Sequence, residues 1–263
     1  MALNPKQQSW QGKVVWLVGA SSGIGQATAT ALHGLGATVI VSARNAAALS
    51  VFAQTHPGAI ALPLDVTSLD DVRRVAQQVF EGHRLNTVVY CAGHYHEMSA
   101  HTFDLEDLNR HWLVNYGGLL NVLDSVIPHF LKKSHDQKSA ADLHISMVGS
   151  VAGYNGLPKS LAYGPTKAAM ANLAETLFLD LRPKGIGVSL ISPGFVDTPL
   201  TAQNNFDMPA LMTPKAAAKK IMDGWARGEF EIHFPKKFTI WLKLLRILPY
   251  RLAFLATGRL TKG

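Results

Sequence analysis

The chain of 263 residues predicts an α/β fold: a doubly wound, mainly parallel seven-stranded sheet with helices on both faces. Three observations carry that prediction. Short apolar, β-branched runs alternate with helical patterns along almost the whole chain. The runs are nearly continuous in apolar residues, as strands buried on both faces require. A glycine-rich turn separates the first run from the first helical pattern. No Pro/Gly/Ser linker and no internal repeat interrupts this order. One domain over residues 1–235, with 236–263 as its extension, is the simplest organisation.

The elements follow in order. "KVVWLVGA" (13–20) is the first strand, and "GIGQATATALHGLG" (23–36) continues as a helix. "ATVIVSA" (37–43) and "AIALPLDV" (59–66) are the second and third strands. "SLDDVRRVAQQVFEG" (68–82) is an amphipathic helix with Ser68 as its N-cap. "NTVVYCAG" (86–93) is the fourth strand, followed by one long helix from about Asp104 to Phe130. "DLHISMVGS" (142–150), "GIGVSLISPG" (185–194) and "FEIHF" (230–234) complete the strands. Between them lie helices over 161–182 and 213–228. Right-handed crossovers turn this order into a doubly wound sheet.

Composition narrows the function classes. With 48% apolar residues the chain can fill a large core, and disorder is not expected. Cys91 is the single cysteine, which excludes an internal disulfide and a cysteine-rich metal site and fits a reducing cytoplasm. The opening "MALNPKQQSWQGK" has no apolar stretch, so a secretory signal is not expected. The histidines lack paired ligand spacing and read as surface or loop residues; no metal is expected. The net charge of +7 lies entirely in 236–263, where Lys236, Lys237, Lys243, Arg246, Arg251, Arg259 and Lys262 occur without one acid. The body is therefore formally neutral, which argues against nucleic acid as a partner.

"GASSGIG" (Gly19–Gly25) sits between the first strand and first helix. A turn there aims backbone N–H groups and a helix N-terminus at a pyrophosphate. NAD-preferring sites carry an acid at the end of the second strand to hold the ribose 2′-hydroxyl. Here no acid occurs before Asp65, and "VSARN" offers Ser42, Arg44 and Asn45 instead. Arg44 can pair with a 2′-phosphate, so NADP(H) is favoured and NAD(H) is second choice.

Tyr163 and Lys167 in "YGPTK" are four residues apart, on one face of a helix. With the glycine turn before them, the chain resembles the short-chain dehydrogenase/reductase superfamily, in its shorter and commoner branch. The match runs from about Gly12 to Phe234 and takes the motifs in the family's order. Cys91-Ala92-Gly93 resembles the Asn-Ala-Gly segment after strand four, and Asn115 lies in a match to the Asn-x-x-Gly helix motif. Ser150 stands thirteen residues before Tyr163, where the family has its catalytic serine. Asp65-Val66 resembles the pair that caps the adenine, and "SPGFVDTP", with Pro193, Gly194, Val196 and Thr198, the segment beside the nicotinamide.

The resemblance implies a Rossmann-type fold and a hydride transfer between NADP(H) and a small-molecule carbonyl or secondary alcohol, in a homo-oligomer. By the same carry-over Gly19, Ser21, Ser22, Gly23, Ile24 and Gly25 bind cofactor, and Lys167 binds the nicotinamide ribose. Tyr163 acts as general acid/base, Ser150 holds the substrate oxygen, and Asn115 holds a water that links Lys167 to solvent. A free phenol has a pKa near ~10, and an ammonium beside it lowers that value. The competing Ser146 has the wrong spacing, and strand alternation turns it elsewhere. The rival reading is a non-catalytic NADP(H)-binding sensor or scaffold, which would not need Tyr163.

Three departures stand out. Cys91 replaces the family's Asn, and Val18 its Thr before the first Gly, so packing takes the place of a hydrogen bond. Pro165 inside the motif requires the helix to begin near Gly164, because first-turn N–H groups have no helical partner.

Residues 236–263 lie outside the match. Thr239, Lys243, Arg246 and Tyr250 fall on one narrow helical face, with Phe238, Trp241, Leu242, Leu244, Leu245 and Leu248 over the remainder. The run before Pro249 is too short to span a bilayer. Its pattern fits either an anionic membrane surface or packing on protein, a sister subunit or the active-site mouth. Candidate substrate contacts lie in 94–101, 154–160 and the lid-like loop 200–212, whose apolar members Leu200, Phe206, Met208, Leu211 and Met212 lean towards a lipophilic ligand.

Overall fold

The computed structural model describes residues 2–135, 140–204 and 208–258. Seven strands form one sheet: β1 (Val14–Val18), β2 (Thr38–Ser42), β3 (Ile60–Ala61), β4 (Leu85–Tyr90), β5 (His144–Val148), β6 (Gly187–Pro193) and β7 (Glu231–Phe234). Their order is β3-β2-β1-β4-β5-β6-β7, and every neighbouring pair is parallel. Central strands are apolar on both faces because both are covered. Trp16 and Val18 of β1 face one core with Val88, Tyr90 and Met147, while Val15 and Leu17 face the other with Val39, Val41 and Val89.

Helices α3 (Leu69–Gly82), α5 (Gly118–Lys133) and α6 (Tyr163–Leu181) cover the first face. Helices α1 (Gly23–Gly34), α2 (Ala46–Thr55) and α7 (Pro214–Arg227) cover the second. α3 forms as its pattern dictates: Val72, Val75, Ala76 and Val79 are buried, and the Ser68 hydroxyl accepts from the Asp71 N–H at 3.2 Å.

Three elements differ from the sequence reading. α2 is not expected from the sequence: its Ala-rich run has little amphipathic contrast and buries only Leu49 and Phe52. β3 is shorter than the expected strand, since Pro63 interrupts the run at the sheet edge. The long helix expected from Asp104 is broken into α4 (Leu105–His111) and α5 by a π-helical turn over Trp112–Gly117, and Asn115 sits in that turn.

The tail forms α8 (Lys236–Arg246) and, past Pro249, a further helix α9 (Tyr250–Gly258). Leu242 and Leu245 pack with Val151, Tyr154 and Phe238, and the Asn155 amide donates to the Leu242 carbonyl at 2.9 Å. Arg259 and Lys262 lie outside the described residues.

Candidate active site

A cleft of about 330 Å³ opens beyond the C-terminal ends of the strands, where the chain order reverses between β1 and β4. Its floor is the 19–25 turn. Gly19 has φ +91°, and a Cβ there would lie 2.3 Å from the Ala92 backbone nitrogen, so only glycine allows the two chain segments to meet. The Cys91 N–H donates to the Val18 carbonyl and the Gly19 N–H to the Ser42 carbonyl, each at 2.7 Å. Backbone bonds thus hold a turn whose Val18 and Cys91 side chains cannot. Ser22, at the N-cap of α1, makes no side-chain capping bond, and no acid occupies the first turn of the helix. Those N–H groups and the helix dipole face the cleft as a receptor for an anion.

Gly19, Ser21, Ser22, Gly23, Ile24 and Gly25 all line the cleft, with Arg44, Asn45, Asp65, Val66, Cys91, Ala92 and Gly93. Arg44 is exposed at the rim, and Asn45 caps α2 by accepting from the Ala48 N–H at 3.0 Å. Asp65 directs its carboxylate at Thr67, from whose N–H and hydroxyl it accepts at 3.0 and 2.8 Å. Ser42 is a correction: it is fully buried and accepts from the Trp16 indole N–H at 3.0 Å, so it offers the cleft nothing.

At the other end of the cleft stand Ser150, Tyr163, Lys167, Pro193, Gly194, Val196 and Thr198. Ser150 follows β5, and its hydroxyl accepts from the Ala152 N–H at 3.1 Å. Ser146 instead accepts from the Trp225 indole at 2.8 Å on the far side of the sheet, as strand alternation predicts. Tyr163 is the first residue of α6, which places Pro165 in the first turn, where its missing N–H costs no bond. Lys167, one turn on, is buried. Its ammonium donates to the Val148 carbonyl at 2.8 Å and lies 5.4 Å from the centre of the Tyr163 ring.

Asn115 does not line the cleft. It is fully buried, and its amide ties three elements: it accepts from the His94 N–H at 2.7 Å and donates to the His94 carbonyl and the Thr166 hydroxyl, each at 3.0 Å. Thr166 in turn donates to the Tyr163 carbonyl at 2.7 Å. The π turn therefore anchors the start of α6, and Thr166, inside "YGPTK", is the anchor that the sequence reading missed.

The electrostatics overturn one expectation. Burial pushes the Tyr163 phenol above its ordinary value, against a smaller lowering from the Ser150 hydroxyl, and Tyr95 raises it further. Burial also pushes Lys167 down to about 8, with Cys91 opposing. With its own value lowered, Lys167 is already neutral in the range where the buried phenol titrates, so it does not offset desolvation there. Tyr163 thus holds its proton firmly. Cys91, raised to about 12 by burial, stays a thiol.

Further residues surround this end that motif spacing does not reveal. Val114, Gly149, Pro199, Leu200 and Thr201 line the cleft, and Tyr95 meets the Tyr163 ring edge-on at 5.0 Å. The 94–101 and 154–160 loops are joined by Met98, whose N–H donates to Lys159 and whose carbonyl accepts from Leu161, both at 3.1 Å. Met212 pairs with Phe195 and Asp197, fixing the far end of the 200–212 loop; Phe206 lies outside the described residues. The histidines are not all scattered: His94, His96 and His111 gather on Asp107. His111 accepts from the His96 N–H at Nε2 and so donates from Nδ1 to the Asp107 carbonyl, which leaves neither ring nitrogen free for another ligand.

A model of the family described as short chain dehydrogenase matches residues 13–209. An uncharacterized oxidoreductase of Myxococcus xanthus is 31% identical over 93% of this chain and 96% of its own. One from Staphylococcus epidermidis is 34% identical over 74% of this chain and 82% of its own. Among solved structures, a short chain dehydrogenase from Burkholderia cenocepacia in complex with NADP shares the fold at TM-score 0.81 and 22% identity, covering 97% of this chain and all of its own. A 3-ketoacyl-(acyl-carrier-protein) reductase from Brucella melitensis complexed with NADH does so at 0.78 and 22%, over 87% of this chain and 99% of its own. With a glycine turn at one end of its cleft and Ser150, Tyr163 and Lys167 at the other, this chain belongs to the short-chain dehydrogenase/reductase family of oxidoreductases.

Proposed function

We propose that the protein is an NADP(H)-dependent oxidoreductase acting on a carbonyl or secondary alcohol of lipophilic character, through one catalytic domain over 1–235 that 236–263 extends. The observation that carries this reading is the convergence of Ser150, Tyr163 and Lys167 on one end of a cleft whose other end is an anion-receptive turn. The residues fit a dinucleotide: the Gly19–Gly25 turn lines the cleft, and the uncapped N-terminus of α1 suits a pyrophosphate. Arg44 at the rim, with no acid at the end of β2, supports a 2′-phosphate there and hence NADP(H) over NAD(H). Asp65 and Val66 would flank the adenine; Pro193, Gly194, Val196 and Thr198 would flank the nicotinamide, which supplies hydride chemistry when bound.

The chain's own groups handle the proton. Tyr163, held protonated by burial, is a competent acid towards an alkoxide, which is more basic than a phenolate. Ser150 would hold the substrate oxygen as charge develops on it. Lys167 would bind the ribose, and its lowered value keeps it able to exchange protons near neutral pH. Asn115 fixes the π turn beside α6, and a water held by that turn would link Lys167 to solvent. The substrate's lipophilic character is supported by the apolar tail packed behind Val151 and Tyr154. Trp112, Leu113 and Leu120, exposed along the π turn and α5, and Leu179, exposed on α6, support a homo-oligomer. Among the described residues no helix is long and apolar enough to cross a membrane; a cytoplasmic location is our reading of the single cysteine.

The test has two arms. Fluorescence titration is expected to show NADPH binding ahead of NADH, and Arg44→Ala is expected to close that gap; NADH binding first would sink the Arg44 argument. With NADPH and a panel of lipophilic carbonyl compounds, Tyr163→Phe is expected to lower turnover by roughly 10²–10⁴-fold and leave cofactor binding intact. NADPH binding with no turnover on the whole panel would favour a sensor.

A further inference from the structure

The tail packs on the body with a mixed face, one flank of the stripe that the sequence marks as polar and the leucines beside it. Thr239, Leu242 and Leu245 of α8 are buried, and Lys243 is drawn inward to Glu231. The opposite face is left bare: Ile240, Trp241, Leu244, Ile247 and Leu248 follow one another at helical spacing, all exposed. α9 continues it with Tyr250, Leu252, Phe254 and Leu255, the rings of Tyr250 and Phe254 stacked at 5.5 Å. Nine of the nineteen large apolar side chains exposed among the described residues lie in these two short helices and the turn between them. A contiguous patch of this kind marks a surface that something covers.

Charge identifies what covers it. Lys236, Lys237, Arg246 and Arg251 are exposed on the same two helices, and 236–258 contains no acid. A second copy meeting this face about a two-fold axis would set cations against cations. An anionic lipid surface instead neutralises the rim and takes the apolar side chains below its headgroups. The helices have eleven and nine residues, so they would lie along the surface and not cross it.

We propose that α8 and α9 form a docking surface for anionic membranes, with the apolar stripe from Ile240 to Leu255 as the inserted face. A consequence for substrate rests on the oxidoreductase reading above. The buried face of α8 packs on Val151 and Tyr154, directly after Ser150, and Phe238 packs on Phe195 beside Gly194. Docking through the outer face therefore sets the Ser150–Tyr163 end of the cleft beside the lipid, and the substrate class becomes carbonyl or alcohol compounds dissolved in the bilayer.

The experiment is flotation of the full chain with phosphatidylglycerol–phosphatidylcholine vesicles and with phosphatidylcholine alone. Flotation is expected only with the anionic vesicles. Lys236→Glu/Lys237→Glu/Arg251→Glu and, separately, Leu244→Ser/Ile247→Ser/Phe254→Ser are each expected to lower the bound fraction at least about tenfold. All six positions are exposed, so the fold should persist. In a Trp112→Phe background the emission of Trp241 is expected to shift to the blue on anionic vesicles, because Trp10, Trp16 and Trp225 are already buried. A full chain that stays unbound on anionic vesicles overturns the proposal. So does a solution oligomer that the serine variant dissociates without any flotation of the parent, since the occupant is then a second copy. Flotation without turnover would leave docking standing and remove the catalytic reading; turnover without flotation would do the reverse.

Discussion

Helices α3 and α8 are both amphipathic, yet α3 covers its apolar face whole and α8 covers only part of its own. α3 buries Val72, Val75 and Val79 and turns Asp70 and Arg73 outward. α8 buries Thr239, Leu242 and Leu245, holds Lys243 against Glu231, and turns Trp241 and Leu244 outward. Apolar area alone does not select this face of α8, since Ile240, Trp241, Leu244 and Ile247 stay outside while Thr239 is buried. What chose this one is the polar edge at β7: Glu231 accepts from Tyr154, Ser192 and Lys243, and His233 pairs with the Thr239 hydroxyl at 2.6 Å. A half-buried carboxylate needs a cation and hydrogen-bond donors more than a half-solvated helix needs its leucines covered. The lysine keeps Glu231 below the usual carboxylate range against desolvation, the largest influence on it.

Predictions that separate the two regions run from the body outward. Phe130→Ala, in the core beneath α5, is expected to cost about 3–5 kcal/mol in denaturant unfolding, because a fully buried ring leaves a cavity. A loss under 1 kcal/mol there would mean the body is as loosely packed as the tail.

The next effect is on acid stability. Burial, with Lys13 nearby, lowers His144 to about 3, so the folded state refuses a proton that the unfolded chain accepts below its ordinary 6.5. Its contribution is complete above pH 6.5 and is lost as pH falls from there towards 3, at about 1.4 kcal/mol per pH unit for one proton. His144→Gln is expected to flatten the fall of unfolding free energy between pH 6 and 4 by about one proton. His129 and His233, lowered to about 4, would keep the rest of the slope. An unchanged slope would count against His144.

Glu231→Gln attacks the clamp itself. It is expected to free α8, raise the rate of proteolysis within 236–258 several-fold, and lower global stability by only about 1–2 kcal/mol. Protease resistance equal to the parent would show that Leu242 and Leu245 alone hold the tail. Smallest of all, Leu244→Ser or Ile247→Ser is expected to leave unfolding free energy within about 0.5 kcal/mol, since neither side chain is buried. A larger loss would place these residues in a core and end the contrast with α3.

Much of the body was legible because its signals are local. Continuous apolar strands, the Ser68 cap, Gly19 and the Tyr163–Lys167 spacing each state their structure within a few residues. α2 was not legible because its alanines carry no contrast, and the π turn was not because Asn115 acts through His94 and Thr166, far apart in sequence. The titration of Tyr163 was not legible for a related reason: spacing places Lys167 beside the ring but says nothing of the burial that shifts both groups.

By itself, the sequence determined the order of strands, the two-sided core, the glycine turn and the residues gathered at the cleft, since periodicity and turn chemistry act over short stretches of chain. Only the tertiary structure decided which way the tail faces and how firmly Tyr163 holds its proton. Both depend on groups that folding brings together from distant segments, and on how much water it removes from around them.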